Sequence, residues 1–211
     1  MSLKTTCKIL SSKEAKTIVG IYTKFNLPYL PKLVSRKDLE DGNSELVFEW
    51  IEGSVIPEER IEDAFLELGK FHLLNRLVDR EFGFTTVCHG DFHRNNIILS
   101  ASGIKFVDVT YIHEGWNYSD LDYVDFLDVY DKEKYPWMIR AGNCLEAYHE
   151  GSGIKSGKEM NEKLKLMTAK FSLERNVMNG KKNKLDTSFE EKILVDLSSH
   201  FDIEDELINL L

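Results

Sequence analysis

"VCHGDFHRNNIILSASGIKFVDV", residues 87–109, packs His89, Asp91, His93, Asn96 and Asp108 into one short stretch. Each residue taken alone has a structural use. A histidine before a glycine turn is commonly satisfied by nearby groups, and Asp or Asn in a turn hydrogen-bonds local backbone. Together they have complementary roles in a single chemistry. "NIIL" and "IKFVDV" read as two strands joined by a turn at Ser102–Gly103, with Asp108 ending the second. Asp108 stands between Val107 and Val109, where a carboxylate is costly without a partner or a cation, so a functional role is the better reading.

Phosphoryl transfer requires a carboxylate beside the acceptor hydroxyl and metal ligands that neutralise the phosphate charge. One solution is an aspartate, an asparagine five residues on, and a second aspartate closing the hairpin that follows. Asp91, Asn96 and Asp108 have this order and spacing. Asp91 would accept the proton, while Asn96 and Asp108 would hold Mg²⁺, a hard cation suited to oxygen ligands. A metal-dependent phosphoesterase would also need an earlier D-x-H and a later N-H-[DE], and a serine hydrolase a G-x-S-x-G; the chain contains none of these.

Outward from this stretch, "LKTTCKIL" (3–10) reads as a strand, and Ser11 with Glu14 has capping-box spacing for a helix bearing Ile18, Ile21, Tyr22 and Phe25. Pro28 and Pro31 stop that helix. A strand near Leu33–Val34 and a polar turn, "KDLEDGNS", lead to a buried strand from Glu45 to Trp50 that runs out at Gly53. Pro57 with Glu58 and Glu59 opens a helix reaching about Leu77. Another helix is expected from Ser119. Met160, Leu164, Met167 and Phe171 mark a further helical face ending at Gly180, and Thr187 with Glu190 boxes one carrying Phe189, Ile193, Leu197 and Phe201. The order predicts an α+β fold in two unequal lobes.

The chain has 211 residues, 42% hydrophobic and 30% charged, as expected of a globular protein. Its net charge of −9 argues against a nucleic-acid partner, which would want a basic stripe. Three scattered cysteines suggest reduced thiols. No apolar run approaches a membrane span and no signal-peptide block precedes the first strand, so no membrane association and a cytoplasmic location are expected.

"HGDFHRNN" (89–96) resembles the catalytic loop, roughly H-G-D-x-H-x-x-N, of the aminoglycoside phosphotransferase and choline kinase family, relatives of protein kinases. It matches every fixed position. The resemblance implies a protein kinase-like two-lobe fold. Residues 1–48 would form the N-lobe, 49–53 the linker, and 54–211 a mainly helical C-lobe. Only ten residues precede the first predicted helix and none is glycine, so the expected N-lobe is reduced and lacks the glycine-rich loop. His89 and His93 would brace the loop. The family's I-D-[FW]-[GED] run is "VDVT" here: the aspartate is kept and the residues after it differ.

By the same resemblance "LVFEWIEG" is the linker, with adenine near the backbone of Glu49 and Ile51 and Phe48 behind it. "TTCKIL" is the lysine strand, making Lys8 the phosphate contact, with Lys4 a competitor; Glu14 is either its partner or only a cap. Asp120 in "YSDLDYV" is either the buried anchor of the loop or an acidic helix start. The activity implied is transfer of the γ-phosphate of ATP, with Mg²⁺, to a hydroxyl of a small molecule. The acidic run Asp120, Asp122, Asp125 and Asp128 suits a cationic acceptor such as an aminosugar or choline-like compound. With no phosphate lid, the alternative is a non-catalytic nucleotide-binding module, or one completed by a protein partner or oligomer.

Overall fold

Ser11 closes the strand β1 (Thr5–Ser11) and caps the helix α1 (Ser12–Lys24). Its hydroxyl accepts from the Glu14 N–H at 3.3 Å, and the Glu14 carboxylate reaches back to the Ser11 N–H at 3.0 Å. These bonds satisfy donors that the helix start would otherwise orphan. The computed structural model describes residues 4–80, 83–123 and 136–155, with isolated positions between 177 and 195. The expected helices around Met160–Gly180 and after Thr187, and the acidic positions Asp125 and Asp128, lie outside the described residues or only partly within them.

α1 buries Ala15, Ile18 and Ile21 in the main core. Two further strands, β2 (Leu33–Asp38) and β3 (Asn43–Glu49), complete an antiparallel sheet in the order β1-β3-β2. β3 alternates strictly, burying Ser44, Leu46 and Phe48. Opposite residues in an antiparallel pair share a face. Lys8 opposes Leu46 and Thr6 opposes Phe48, so Thr6, Lys8 and Leu10 lie on the side of β3 that carries those buried residues. β2 is longer than the short strand expected near Leu33–Val34. Asp38 is held by Ser44 and Arg36, both at 2.6 Å, which keeps the strand paired to its end. β3 ends at Glu49, and Trp50–Glu52 belong to no helix or strand before β4 (Gly53–Val55).

After Pro57 a 3-10 turn leads into α2 (Ile61–Leu74), which stops short of the expected Leu77. Next come β5 (Val78–Asp79), β6 (Phe84–Cys88), β7 (Ile97–Ser100), β8 (Gly103–Phe106), β9 (His113–Trp116) and α3 (Pro136–Ser152). Two more antiparallel sheets result, ordered β4-β7-β8 and β5-β6-β9. α2 and α3 cross closely: a Cβ on Gly69 would collide with the Tyr148 carbonyl, and one on Gly151 with that of Leu66. In place of the helix expected from Ser119, Asn117–Tyr123 form a 3-10 segment, and Ser119 donates to the Trp116 carbonyl at 2.7 Å instead of capping.

The loop between α1 and β2 fastens the first sheet to β8. The Phe106 N–H donates to the Tyr29 carbonyl at 2.8 Å, and Lys105 Nζ to the Pro28 carbonyl at 2.6 Å. The Tyr29 ring stacks on Phe106 at 5.7 Å, and Phe106 meets Phe92 edge-on at 5.2 Å.

Replacing Ser11 by alanine removes the cap and should lower stability by about 1 kcal/mol, read as an earlier urea midpoint at unchanged slope.

Candidate active site

β6 delivers the chain to His89, and Gly90 turns it with φ 78°. A side chain at Gly90 would strike the Tyr111 carbonyl, so glycine is required both by its backbone conformation and by close approach. The turn is pinned from beneath by Asp120, which is fully buried. Its Oδ2 accepts the His89 N–H at 2.6 Å, and its Oδ1 accepts the Gly90 N–H at 2.7 Å. His72 Nε2 lies 3.0 Å from the same Oδ2. Burial pushes the Asp120 carboxyl up, but the bonds and charge from His72 and the loop outweigh it and hold the group below the usual carboxylate range.

His72 is itself oriented. Its Nδ1 lies 2.8 Å from the Tyr148 hydroxyl. Asn117 Nδ2 donates to that hydroxyl at 2.8 Å, while Asn117 Oδ1 accepts the Phe84 N–H at 2.8 Å. Burial raises the Tyr148 pKa, which keeps the phenol a neutral donor. α2, α3, β6 and the 3-10 segment therefore converge on one carboxylate. His72 was not singled out from sequence; the signal available was a histidine among the apolar residues of the buried face of α2.

His89 links the loop to the Asp108 segment. Its Nδ1 accepts the Asp91 N–H at 3.3 Å, and its Nε2 donates to the Val107 carbonyl at 2.8 Å. Burial lowers the His89 pKa, which suits the neutral, single-donor ring that these bonds require. The Val107 N–H donates to the Asn96 carbonyl at 2.8 Å. Both polar groups of Val107 are thus bound to the loop.

The Asn96 amide nitrogen donates to the Asp91 carbonyl at 3.0 Å and to Asp91 Oδ2 at 2.9 Å, and lies 3.0 Å from His93 Nε2. That surrounding identifies the atom as nitrogen and turns Asn96 Oδ1 away from Asp91. His93 Nε2 also lies 3.5 Å from Asp91 Oδ2.

Asp108 is not the last residue of a strand, as the sequence suggested. β8 ends at Phe106, and Asp108 takes a left-handed conformation, φ 61° and ψ 64°, ahead of the 3-10 turn Val109–Tyr111. Aspartate tolerates that region better than most residues. Its Oδ1 accepts from Lys8 Nζ and from Thr110 Oγ1, each at 2.6 Å. Burial raises the Asp108 pKa, but these donors more than offset it and hold the carboxyl below its usual value.

Lys8, not Lys4, is the lysine beside Asp108; Lys4 pairs with Glu52 on the exterior. Glu14 is the cap of α1 and is not the partner of Lys8. A cleft of about 160 Å³ brings together Lys8, Phe48, Glu49, Ile51 and Asp108, with Trp50 at the linker and Thr110 beside Asp108. The Ile51 N–H makes no hydrogen bond among the described residues, whereas the Glu49 and Trp50 N–H groups are taken by Lys32 and Lys4 carbonyls. Asp91, His93 and Asn96 form an adjoining cluster outside the cleft wall. Thr110 and Trp50 were not singled out from sequence. Asn96 Oδ1 and the Asp108 carboxylate are hard oxygen donors of the type Mg²⁺ takes, so these residues fit that ion.

No protein-family model matches the chain, and no curated protein matches it in sequence. Solved structures do. A choline kinase from Streptococcus pneumoniae is 11% identical, with 95% of this chain and 88% of that one covered and a TM-score of 0.57. An amicoumacin kinase solved with AMP-PNP, Ca²⁺ and its antibiotic is 14% identical over 97% and 83% of the two chains, with a TM-score of 0.55. A GDP complex of aminoglycoside 2′-phosphotransferase-IIIa is 10% identical over 89% and 82%, with a TM-score of 0.57. The chain therefore has the protein kinase-like fold of these small-molecule kinases, in agreement with the resemblance of residues 89–96.

Folded His89 resists protonation below its ordinary value of 6.5, while the unfolded chain takes up that proton. Its contribution to stability is therefore complete above pH 6.5 and declines as pH falls below it. Asp120 adds the same sign of dependence below its ordinary value of 3.8. Urea midpoints measured across this range should fall with acid, and His89→Gln should flatten the slope just below pH 6.5.

Proposed function

We propose that this chain is an ATP-dependent phosphotransferase that moves the γ-phosphate to a hydroxyl of a small molecule, an aminoglycoside, choline-like compound or sugar. The observation that carries this reading is the meeting of Lys8 and Asp108 in a cleft walled by the linker, with Asp91 and Asn96 stitched to the Asp108 segment through Val107. Residues 1–48 act as the N-lobe, 49–53 as the linker, and 54–211 as a mainly helical C-lobe. The nucleotide and Ca²⁺ in the amicoumacin kinase, and GDP in the aminoglycoside enzyme, support a nucleotide and a divalent cation here. Among the described residues no helix is long and apolar enough to cross a membrane.

Asp91 takes the proton of the acceptor hydroxyl. The freed oxygen bonds to the γ-phosphorus as the bond to the β–γ bridging oxygen breaks, and ADP leaves. Mg²⁺ held by Asn96 Oδ1 and Asp108 would neutralise charge on the phosphates. Lys8 is the phosphate contact. Its pair with Asp108 is 37% exposed on both sides, and ion pairs so exposed contribute only about 0–1 kcal/mol, so phosphate can displace it at little cost. The Phe48 ring closes the back of the cleft, and the unengaged Ile51 N–H is a donor for the base. Asp120, His89 and His93 brace the loop.

Calorimetric titration with AMP-PNP, with and without Mg²⁺, should show Mg²⁺-dependent binding that Asp108→Ala abolishes. Asp91→Asn should keep that binding and lower transfer at least ~100-fold, as expected when a general base is lost; normal turnover in this variant would overturn the mechanism. Mg²⁺-dependent binding with no transfer to any hydroxyl acceptor would point to a nucleotide-binding module, non-catalytic or completed by a partner.

A further inference from the structure

Thr110 stands two residues beyond Asp108, separated from it by Val109, which is buried in the core. That buried peg sets the 3-10 turn so that Asp108 and Thr110 both line the cleft, and Thr110 Oγ1 donates to Asp108 Oδ1 at 2.6 Å. Lys8 donates to the same oxygen, and neither side chain bonds to Oδ2. We propose that Thr110 is a positioning residue that holds Asp108 Oδ1 so that Oδ2 is presented to the divalent cation. The inference rests on Asp108 being a metal ligand in the reading above. Its importance grows when nucleotide enters. Once Lys8 turns to phosphate, the Thr110 hydroxyl is the side-chain donor left on Oδ1. Together with the Thr110 backbone, which also favours the ionised carboxyl, that bond keeps the carboxylate aimed.

Groups that orient a ligating carboxylate typically change metal affinity by about 10–100-fold when removed. The test is titration of Mg²⁺ into the full chain at a fixed AMP-PNP concentration, following analogue binding, for the wild type, Thr110→Val, Thr110→Ser and Asp108→Ala. Thr110→Val should raise the Mg²⁺ requirement at least ~10-fold. Its thermal unfolding should match the wild type, and Thr110→Ser should restore the normal requirement. An unchanged requirement in Thr110→Val overturns the proposal while leaving the nucleotide reading intact. So does a serine variant that behaves like valine, because packing of the methyl group would then be responsible. If the wild type and Asp108→Ala bind AMP-PNP alike with and without Mg²⁺, the metal reading fails and this proposal with it.

Discussion

The buried carboxylate of Asp120 is the contact on which the site depends. A fully buried anion is destabilising unless its lone pairs are filled, and here they are filled by the two N–H groups that define the turn at His89–Gly90. The exchange is mutual. The carboxylate is fully buried, and both N–H groups of the turn point at it. His72, Tyr148 and Asn117 then fix the carboxylate from the far side, which ties the loop's geometry to the packing of α2 against α3. The close approach of those helices at Gly69 and Gly151 lets Tyr148 reach His72.

A second set of ties joins the loop to the sheet above it. Val107 is bound at both its N–H and its carbonyl, and Phe106 is bound to Tyr29 in the segment between α1 and β2. Asp108 follows these two anchored residues. Its meeting with Lys8 is therefore a consequence of backbone bonds on both sides of the cleft, and the weak, half-exposed ion pair does not have to hold the parts together.

Much of this was legible in the sequence where the signal was local. The Ser11–Glu14 box fixed the start of α1, and the Asp91–Asn96 spacing brought out the loop whose members do hydrogen-bond to one another. Non-local features were not legible. "FTTVC" and "HEGW" pair as β6 and β9 across 24 intervening positions, and neither stretch alternates strongly enough to announce a strand. Asp108 was read as the end of a strand because Val107 and Val109 look like one; only the backbone shows the left-handed turn at the aspartate. The choice between Lys8 and Lys4 was open because both fall in the expected strand "LKTTCKIL" at positions of equal parity. In the structure Lys4 precedes β1 and pairs with Glu52, while Lys8, opposite Leu46 in the pairing of β1 with β3, reaches Asp108.

That pairing makes the chemistry of the cleft a matter of parity. Thr6, Lys8 and Leu10 look inward only because they fall on the even positions of β1, while exposed Cys7 and Ile9 occupy the odd ones. A strand slipped by a single residue exchanges the two sets completely. The ammonium group would leave, and a thiol and a branched hydrocarbon would take its place opposite Asp108. An insertion of one residue between Lys8 and the capped start of α1 is thus a change of charge in the cleft, although no residue in the cleft has been substituted.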